Sequence, residues 1–391
     1  MNLNEINDWD DENLNLKKPI LRGIYSYGFE NPSPIQKKGL LPMVKINDET
    51  KQRNDILAQA QSGTGKTGCF VIGTLQIIDF DINEIQALIL APTHELANQI
   101  FKVMSEISRF CDIDIKLLVG GQPIDKDIHD LKKKPSVVIG TPGRVYDMIY
   151  KNILNTNKLK IVICDEADEM LSYGFKEQIY NILKYMPDDV QLGLFSATVP
   201  DSLHSVIDTF MKKDYNEIRV KNDMLTLQGI AQYYINLNND DNKFETIKDI
   251  FGGLSISQCI IYCNTTKRVD QLYYAMKNEN YPVDRIHGKI SGEERNKITK
   301  EFRSGSSRVL ITSDLFARGI DVQQVNIVIN FDVPKNVNTY LHRIGRSGRW
   351  GRKGIAINFV TKYDTDKIKY FEQYYNTQIS EMPSDFTNHI S

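Results

Sequence analysis

Short apolar runs alternate with longer amphipathic stretches along most of the chain. In the first half the runs are mainly aliphatic, with little alternation of apolar and polar positions. They are Ile56–Ala60, Ala87–Leu90, Val137–Gly140, Ile161–Cys164 and Gln191–Ser196. Such runs are typical of parallel strands buried on both faces. The stretches between them, such as Glu95–Phe110 and Phe175–Tyr185, have helical spacing. Strand followed by helix, repeated, predicts a parallel sheet flanked by helices.

The pattern breaks at the polar segment Val220–Gly229 and then resumes. The second set of runs is Tyr233–Leu237, Cys259–Cys263, Val283–Ile286, Val309–Thr312, Ile327–Phe331 and Ile355–Val360. A chain of 391 residues is also too long for one ordinary core. We therefore predict two tandem α/β domains. Residues 19–220 and 230–391 form the domains, residues 221–229 form a flexible linker, and residues 1–18 form a polar, loosely held N-terminal tail.

Composition narrows the class of protein. The apolar content of 41% and charged content of 25% fit a soluble globular protein. The formal net charge of −2 excludes a global basic field, so any polyanion site must be a local strip of cations and backbone donors. The five scattered cysteines are expected to be reduced thiols rather than zinc ligands. We expect no signal peptide and no membrane span, and hence an intracellular protein.

The segment Ala60–Thr67, AQSGTGKT, has the composition of a phosphate-binding loop. Small residues let backbone N–H groups turn toward phosphate oxygens, and the following helix adds its positive N-terminal end. In this interpretation Lys66 reaches the terminal phosphates and the Thr67 hydroxyl binds Mg²⁺. The candidate ATP-binding residues are Ser62, Gly63, Thr64, Gly65, Lys66 and Thr67. The alternative is a glycine-rich turn without a ligand, and Ala60 stands where the strict pattern has glycine.

A second segment, ICDEAD at Ile163–Asp168, places acids at the end of an apolar run. Open α/β sheets bind ligands at the carboxyl ends of their strands. Asp165 is the candidate ligand of the metal and its waters, and Glu166 the candidate general base that polarises the attacking water. A solvated acidic turn is the alternative, which the upstream phosphate loop makes the weaker interpretation.

Far downstream, His342–Arg349 has the sequence HRIGRSGR. Arg346 and Arg349 are spaced like two fingers, and an arginine that reaches a transferring phosphoryl group can stabilise its charge. The alternative is a solvated basic face. Taken together, the three segments can surround one ATP from two sides, which indicates an ATP-driven machine.

With these segments in this order, the chain resembles the DEAD-box RNA helicases. The resemblance implies two tandem RecA-like domains. It also implies that Gly28–Gln36 (GFENPSPIQ) recognises adenine, with Phe29 stacking on the base and Gln36 bonding to its edge. Phe29 as an ordinary core aromatic is the alternative. Trp9 resembles an upstream aromatic that is usually phenylalanine in the family.

Further roles follow only from the resemblance. Asp321 would bind the ribose, His342 would touch the DEAD segment, and Ser196 and Thr198 would couple hydrolysis to strand separation through Asp168. The implied RNA-binding residues are Pro92, Thr93, Gly121, Thr141, Gly143, Arg144, Asn264, Thr265, Gly288, Arg295, Thr312 and Ser313. His94 stands where the family usually has arginine, so one phosphate contact is expected to be weaker or pH-sensitive.

The resemblance implies an RNA-stimulated ATPase that uses ATP and Mg²⁺ and locally unwinds RNA with little sequence preference. Three segments, Leu21–Glu30, Gly351–Thr361 and Tyr375–Pro383, are similar to family members that act in translation initiation. We therefore expect a monomer that acts on mRNA, with a translation initiation scaffold protein as partner, in the cytoplasm or alternatively the nucleus. An ATP-gated RNA clamp of the exon-junction type and a DNA translocase are the alternatives.

Overall fold

The computed structural model describes residues 5–61, 63–121, 123–172, 174–220, 229–253, 258–314, 325–347 and 354–383. Contacts between residues divide the chain into two compact units, residues 1–221 and 222–391. The division falls at the start of the predicted linker 221–229. Of that linker only Gly229 lies within the described residues.

The first unit alternates strands with helices after two opening helices. Its elements are α1 (Lys18–Tyr27), α2 (Pro34–Val44), β1 (Ile56–Gln59), α3 (Lys66–Ile77), β2 (Ala87–Leu90), α4 (His94–Ile107), β3 (Ile115–Leu118), α5 (Ile124–Leu131), β4 (Val137–Gly140), α6 (Pro142–Tyr150), β5 (Ile161–Asp165), α7 (Ala167–Ser172), α8 (Lys176–Lys184), β6 (Gln191–Ser196), α9 (Asp201–Phe210) and β7 (Asn216–Arg219).

These strands form one seven-stranded sheet in the order β3-β4-β2-β5-β6-β1-β7, and all neighbouring strands are parallel. All five apolar runs of the first half are strands, so the predicted fold class is confirmed for this unit. The sheet also contains β3 and β7, which were not predicted. Both are edge strands with half-exposed residues, and they lack the continuous apolar run that marks a central strand.

Successive strand residues enter cores on opposite faces of the sheet, as the two-residue period of a strand requires. On one face, Ile89 and Ile163 pack with side chains of α1 to α4. On the other face, Leu88 and Val162 pack with side chains of α6, α8 and α9. The sheet is therefore covered by helices on both sides, and its functional groups can only emerge at the strand ends.

The prediction of a loosely held tail over residues 1–18 is wrong for the described part of that segment. Ile6, Trp9 and Leu14 are buried at 1%, 1% and 2% exposure within the first core. The Ile6 N–H also donates to the Lys37 carbonyl oxygen in α2 at 3.0 Å. Three apolar side chains among many polar ones show no period, so the sequence pattern gave no sign that they converge on the same core.

The second unit repeats the same plan. Its elements are β8 (Ile230–Asn236), α10 (Asn242–Gly253), β9 (Cys259–Tyr262), α11 (Thr266–Asn278), β10 (Val283–Ile286), α12 (Gly292–Arg303), β11 (Val309–Thr312), β12 (Ile327–Asn330), α13 (Val337–Ile344), β13 (Gly354–Val360), α14 (Thr365–Tyr375) and β14 (Ser380–Glu381).

This second sheet also has seven strands, in the order β10-β11-β9-β12-β13-β8-β14, and its neighbouring strands are parallel. Ile261 and Ile311 pack on one face with α10 and α11, whereas Ile260 and Leu310 pack on the other with α12. Two parallel sheets with flanking helices confirm the predicted tandem arrangement. Within the described ranges, every helix is too short or too polar to cross a bilayer.

Candidate ATP site and RNA-binding surfaces

The order of the first sheet brings three predicted segments to one edge. β5, β6 and β1 are neighbours, and their register pairs Asp165 with Phe195 and Gln59 with Ser196. Because the strands are parallel, their carboxyl ends lie side by side. The loop after β1, the acids after β5 and the Ser196–Thr198 segment after β6 therefore converge, although about 100 residues separate the first two along the chain.

The backbone of the phosphate loop is left-handed at two of its glycines. Gly63 and Gly65 have φ angles of 83° and 100°, a left-handed region that costs glycine little. Gly65 is the N-cap of α3, so Lys66 and Thr67 occupy the first turn of that helix. The positive end of α3 therefore lies at the loop, as phosphate binding requires. Thr64 donates its hydroxyl to the Gln61 carbonyl oxygen at 2.7 Å. Ser62 lies outside the described residues.

Lys66 and the acids of the DEAD segment share a buried space. The Lys66 ammonium lies 3.5 Å from a Glu166 carboxylate oxygen, and both side chains are under 10% exposed. The Glu166 N–H donates to Asp165 at 3.0 Å. Glu166 has a φ of 50°, a left-handed conformation that is unfavourable for a residue with a side chain and that recurs at functional sites.

Burial, followed by the charge of Glu166, raises the pKa of the Asp165 carboxyl well above its ordinary value. Two adjacent buried carboxylates are costly unless positive charge lies near them. Lys66 supplies one positive charge. The donor set of Asp165 and the half-buried Thr67 is made only of oxygen atoms, which are the ligands that Mg²⁺ prefers. The residues present therefore fit a magnesium ion.

Gln36 connects the predicted adenine-binding segment to the phosphate loop. Its amide oxygen accepts from the Ser33 N–H at 2.7 Å, and its amide nitrogen donates to the Gly65 carbonyl oxygen at 3.1 Å. A side-chain amide has two donor hydrogens and two lone pairs on its oxygen. One donor and one acceptor position therefore remain for the edge of a base, in the geometry that these two bonds fix.

Phe29 is half-buried and packs against the first core. Its ring stacks on Trp9, with centroids 6.3 Å apart and planes 16° apart, and meets Tyr27 edge-to-face at 4.8 Å. The pair holds Phe29 beside α3, the helix that the phosphate loop begins.

The Ser196–Thr198 segment is bonded to the DEAD segment. The Thr198 hydroxyl donates to an Asp168 carboxylate oxygen at 2.6 Å, and the Asp168 N–H donates to the Ser196 hydroxyl oxygen at 3.3 Å. The expected hydrogen bond to Asp168 is present, so a shift of the acids can be transmitted to β6. Its role in strand separation stays a prediction.

The predicted RNA-binding elements of the first unit meet in one open groove of about 410 Å³. Its lining residues are Pro92, His94, Gly120, Thr141, Gly143, Arg144, Asp147 and Phe175. Thr93 is the N-cap of α4, and Gly121 has a φ of 76° in the turn after β3. A β-carbon at Gly143 or Gly121 would meet nothing within 4 Å among the described atoms, so both positions leave their backbone accessible.

In the second unit, Asn264 lies two residues beyond the end of β9, and Thr265 caps α11. Thr312 ends β11, with Ser313 directly after it. Gly288 is exposed in the turn after β10, and Arg295 lies on α12. Since β9, β10 and β11 are adjacent and parallel, the strand-end residues share one edge of this sheet.

The sequence pattern missed Arg343, which organises that edge. Its guanidinium bonds to the Asp314 carboxylate at 2.5 and 2.9 Å, to Asn264 at 2.8 Å, to Asn330 at 3.1 Å and to the Asp332 carbonyl oxygen at 2.7 Å. It is 1% exposed. No local pattern indicated this role, because the partners of Arg343 lie 11 to 79 residues away along the chain.

His342 and Arg346 are buried beside Arg343, at 5% exposure each. His342 lies in the last turn of α13, and Arg346 follows that helix. Arg349 and Asp321 lie outside the described residues, so their predicted roles stay predictions.

Comparisons with known proteins agree with this geometry. Residues 33–206 match the DEAD/DEAH box helicase family, and residues 242–351 match the helicase conserved C-terminal domain family. The chain belongs to the DEAD/DEAH box helicases, which confirms the family inferred from the motifs.

Among curated relatives, the chain is similar to eukaryotic initiation factor 4A of Caenorhabditis elegans, with 49% identity over 385 residues that cover 98% of this chain and 93% of that protein. It is similarly related to the ATP-dependent RNA helicase eIF4A of Scheffersomyces stipitis, with 50% identity over 382 residues covering 98% and 94%. The expected likeness to the translation initiation members is thereby confirmed.

Among solved structures, the chain superimposes on S. cerevisiae Dbp5 bound to RNA and ADP BeF3 with a TM-score of 0.87, 33% identity and 96% coverage of both chains. It also superimposes on Mss116p bound to ssRNA and AMP-PNP, with a TM-score of 0.84 and 28% identity, covering 99% of this chain and 82% of that one.

Proposed function

We propose that this protein is an ATP-dependent RNA helicase that hydrolyses ATP and unwinds RNA locally in translation initiation. The observation that carries the proposal is the buried contact between Lys66 and Glu166, at 3.5 Å, where the phosphate loop meets the DEAD strand. The curated relatives named above, which share about half of its residues across nearly the whole chain, are eIF4A proteins named as initiation factors or ATP-dependent RNA helicases.

In the proposed reaction, Lys66 and the N–H groups of the loop bind the phosphates, and Glu166 accepts a proton from the water that attacks the terminal phosphorus. The bond to the bridging oxygen breaks, which leaves ADP and inorganic phosphate. Mg²⁺, held by Asp165 and Thr67, would neutralise phosphate charge in this site. Phe29 and Gln36 select adenine. Arg346 and Arg349 stay candidates for the arginine fingers.

The proposed RNA contacts are made to the phosphate and sugar backbone. Exposed glycine turns and helix N-termini line the groove of the first unit, and such groups bind phosphates without distinguishing bases. Binding is therefore expected to depend little on sequence. We further propose a cytoplasmic monomer that works with a translation initiation scaffold protein. The names of the two relatives, an initiation factor and an ATP-dependent RNA helicase eIF4A, support the proposed setting in translation initiation.

The test is ATP turnover by the purified chain with and without an unstructured RNA. We expect turnover to rise at least tenfold with RNA, and Lys66→Ala to abolish it. Lys184→Ala, which removes an exposed lysine of the same unit, should behave as wild type. RNA-stimulated turnover that survives in Lys66→Ala would refute the assigned phosphate site.

A strand-displacement assay with RNA and DNA loading strands separates the alternatives. A helicase of this class should open a short RNA duplex in the presence of ATP and should not need a DNA strand. An ATP-gated clamp would hold RNA with slow turnover, and a DNA translocase would prefer DNA. The relatives, which are named as helicases and initiation factors, do not favour the clamp.

A further inference from the structure

The turn after β3 carries Gly120 and Gly121, and it must keep a fixed distance from the turn that carries Thr141 to Gly143. Both turns line the groove described above, and both contact RNA in the proposed function. Backbone N–H groups bind phosphates well only when their positions are set in advance. One direct link exists, since the Thr141 N–H donates to the Leu118 carbonyl oxygen at 3.0 Å.

A second link is a buried ion-pair cluster around Asp127. One carboxylate oxygen of Asp127 lies 3.2 Å from the Lys116 ammonium, and the other bonds to the Arg144 guanidinium. The three side chains are 2%, 13% and 11% exposed, respectively. Lys116 also pairs with the more exposed Asp130 at 2.7 Å.

The positions of these residues give the cluster its role. Lys116 is on β3, immediately before the glycine turn, and Asp127 is on α5, immediately after it. Arg144 is in the first turn of α6, which the other RNA-binding turn begins. Asp127 therefore joins the strand before the Gly120–Gly121 turn to the helix after it. Through Arg144 it also joins both of them to the Thr141–Gly143 turn.

We propose that Asp127 is a positioning residue for RNA binding, which fixes Arg144 and the two backbone turns of the groove relative to each other. This inference rests on the proposed function. It makes an unusual prediction, because Asp127 is an acid near a surface that binds a polyanion. Electrostatics alone would have RNA bind more tightly when the negative charge is removed.

The test measures the affinity of the full chain for a fluorescent single-stranded RNA in the presence of AMP-PNP. Asp127→Asn keeps the shape of the side chain but removes the charge that pairs with both cations. We expect RNA affinity to fall about tenfold, which corresponds to about 1.4 kcal/mol. Asp125→Asn is the matched control, since it removes the same charge from an exposed position on α5 and should leave affinity unchanged or slightly higher.

A double-mutant cycle of Asp127→Asn and Arg144→Gln distinguishes a positioning role from general destabilisation of the unit. If Asp127 acts through Arg144, the double variant should bind RNA about as weakly as the weaker single variant. AMP-PNP affinity, which depends on the other segments of this unit, should stay unchanged in all variants. Equal RNA affinity of Asp127→Asn and wild type, or additive losses in the cycle, would overturn the inference.

A second variant at the same position tests the inference if Asp127→Asn does not fold. Should Asp127→Asn not fold, Asp127→Glu keeps the charge and displaces Arg144 by about one methylene. It should still weaken RNA binding, and wild-type affinity in that variant would equally overturn the inference. If wild type and Asp125→Asn fail to bind RNA at all, the proposed function fails instead, so the two failures are distinguishable.

Discussion

Trp9→Ala should destabilise the first unit and weaken ATP binding together. Trp9 is 1% exposed, and its ring stacks on Phe29. Truncating a buried tryptophan to alanine typically costs about 3–5 kcal/mol, because the transfer free energy is lost and a cavity remains. Most of that loss should appear as weaker docking of residues 5–17, the segment that Trp9 anchors.

ATP affinity should fall in Trp9→Ala because Phe29, the proposed adenine-stacking residue, loses the ring that it stacks on. An aromatic pair contributes about 0.5–1.5 kcal/mol beyond the area it buries. Phe29 without its partner must be ordered by the nucleotide itself, so ATP affinity should fall by a factor of about 2 to 12.

Trp9→Phe makes the sharper comparison. The indole N–H of Trp9 is buried and has no hydrogen-bond partner among the described residues. An unsatisfied buried donor costs about 1–3 kcal/mol, and phenylalanine removes it. The smaller ring gives up about 1–2 kcal/mol of burial. These terms nearly cancel, so Trp9→Phe should lie within about 1 kcal/mol of wild type and should retain ATP affinity.

The assay is urea unfolding of the full chain followed by circular dichroism, together with ATP affinity from calorimetry. Tyr25→Phe is the control, since it removes only an exposed hydrogen bond to Asp10 in the same region and should cost under about 0.5 kcal/mol. Wild-type stability of Trp9→Ala would refute the anchoring role. Equal losses in Trp9→Phe and Trp9→Ala would contradict the near cancellation of the two terms.

Glu166→Gln should retain ATP binding but slow hydrolysis by at least about 100-fold and prolong the RNA complex, as measured by RNA release in single turnover; unchanged release would remove Glu166 as the base. Gln36→Ala should lower the preference for ATP over GTP in a competition assay, and undiminished discrimination would place Gln36 outside the base site. His94→Arg should tighten RNA binding and steepen its salt dependence by about one phosphate contact, whereas an unchanged salt slope would mean that His94 faces no phosphate. Arg343→Lys should lower the free energy of unfolding of the second unit by about 2–4 kcal/mol in urea, because lysine cannot make the two parallel bonds of the guanidinium to Asp314. ATP affinity should not change, and an unfolding midpoint equal to that of wild type would contradict the role of Arg343 in organising this strand edge.

Three corrections and additions show where sequence patterns were insufficient. The segment before α1 is packed rather than loose, because three apolar residues without a period find one core. The edge strands β3 and β7 were missed, because one exposed face removes the apolar run that marks a central strand. Arg343 and Asp127 were missed, because each takes its role from partners 11 to 79 residues away along the chain.

The sequence by itself determined the two parallel α/β units, the phosphate loop, the acidic strand end and the family. These features depend on local chemistry: burial on both faces imposes an aliphatic run, a phosphate loop requires glycines and lysine in sequence, and a helix start requires a cap. Tertiary structure alone decided which strands become neighbours, and hence that Lys66 lies 3.5 Å from Glu166. The bond of Thr198 to Asp168 was expected from the family resemblance, but no local pattern predicts it. Contacts of this kind depend on the order of strands across a sheet, and no local period encodes that order.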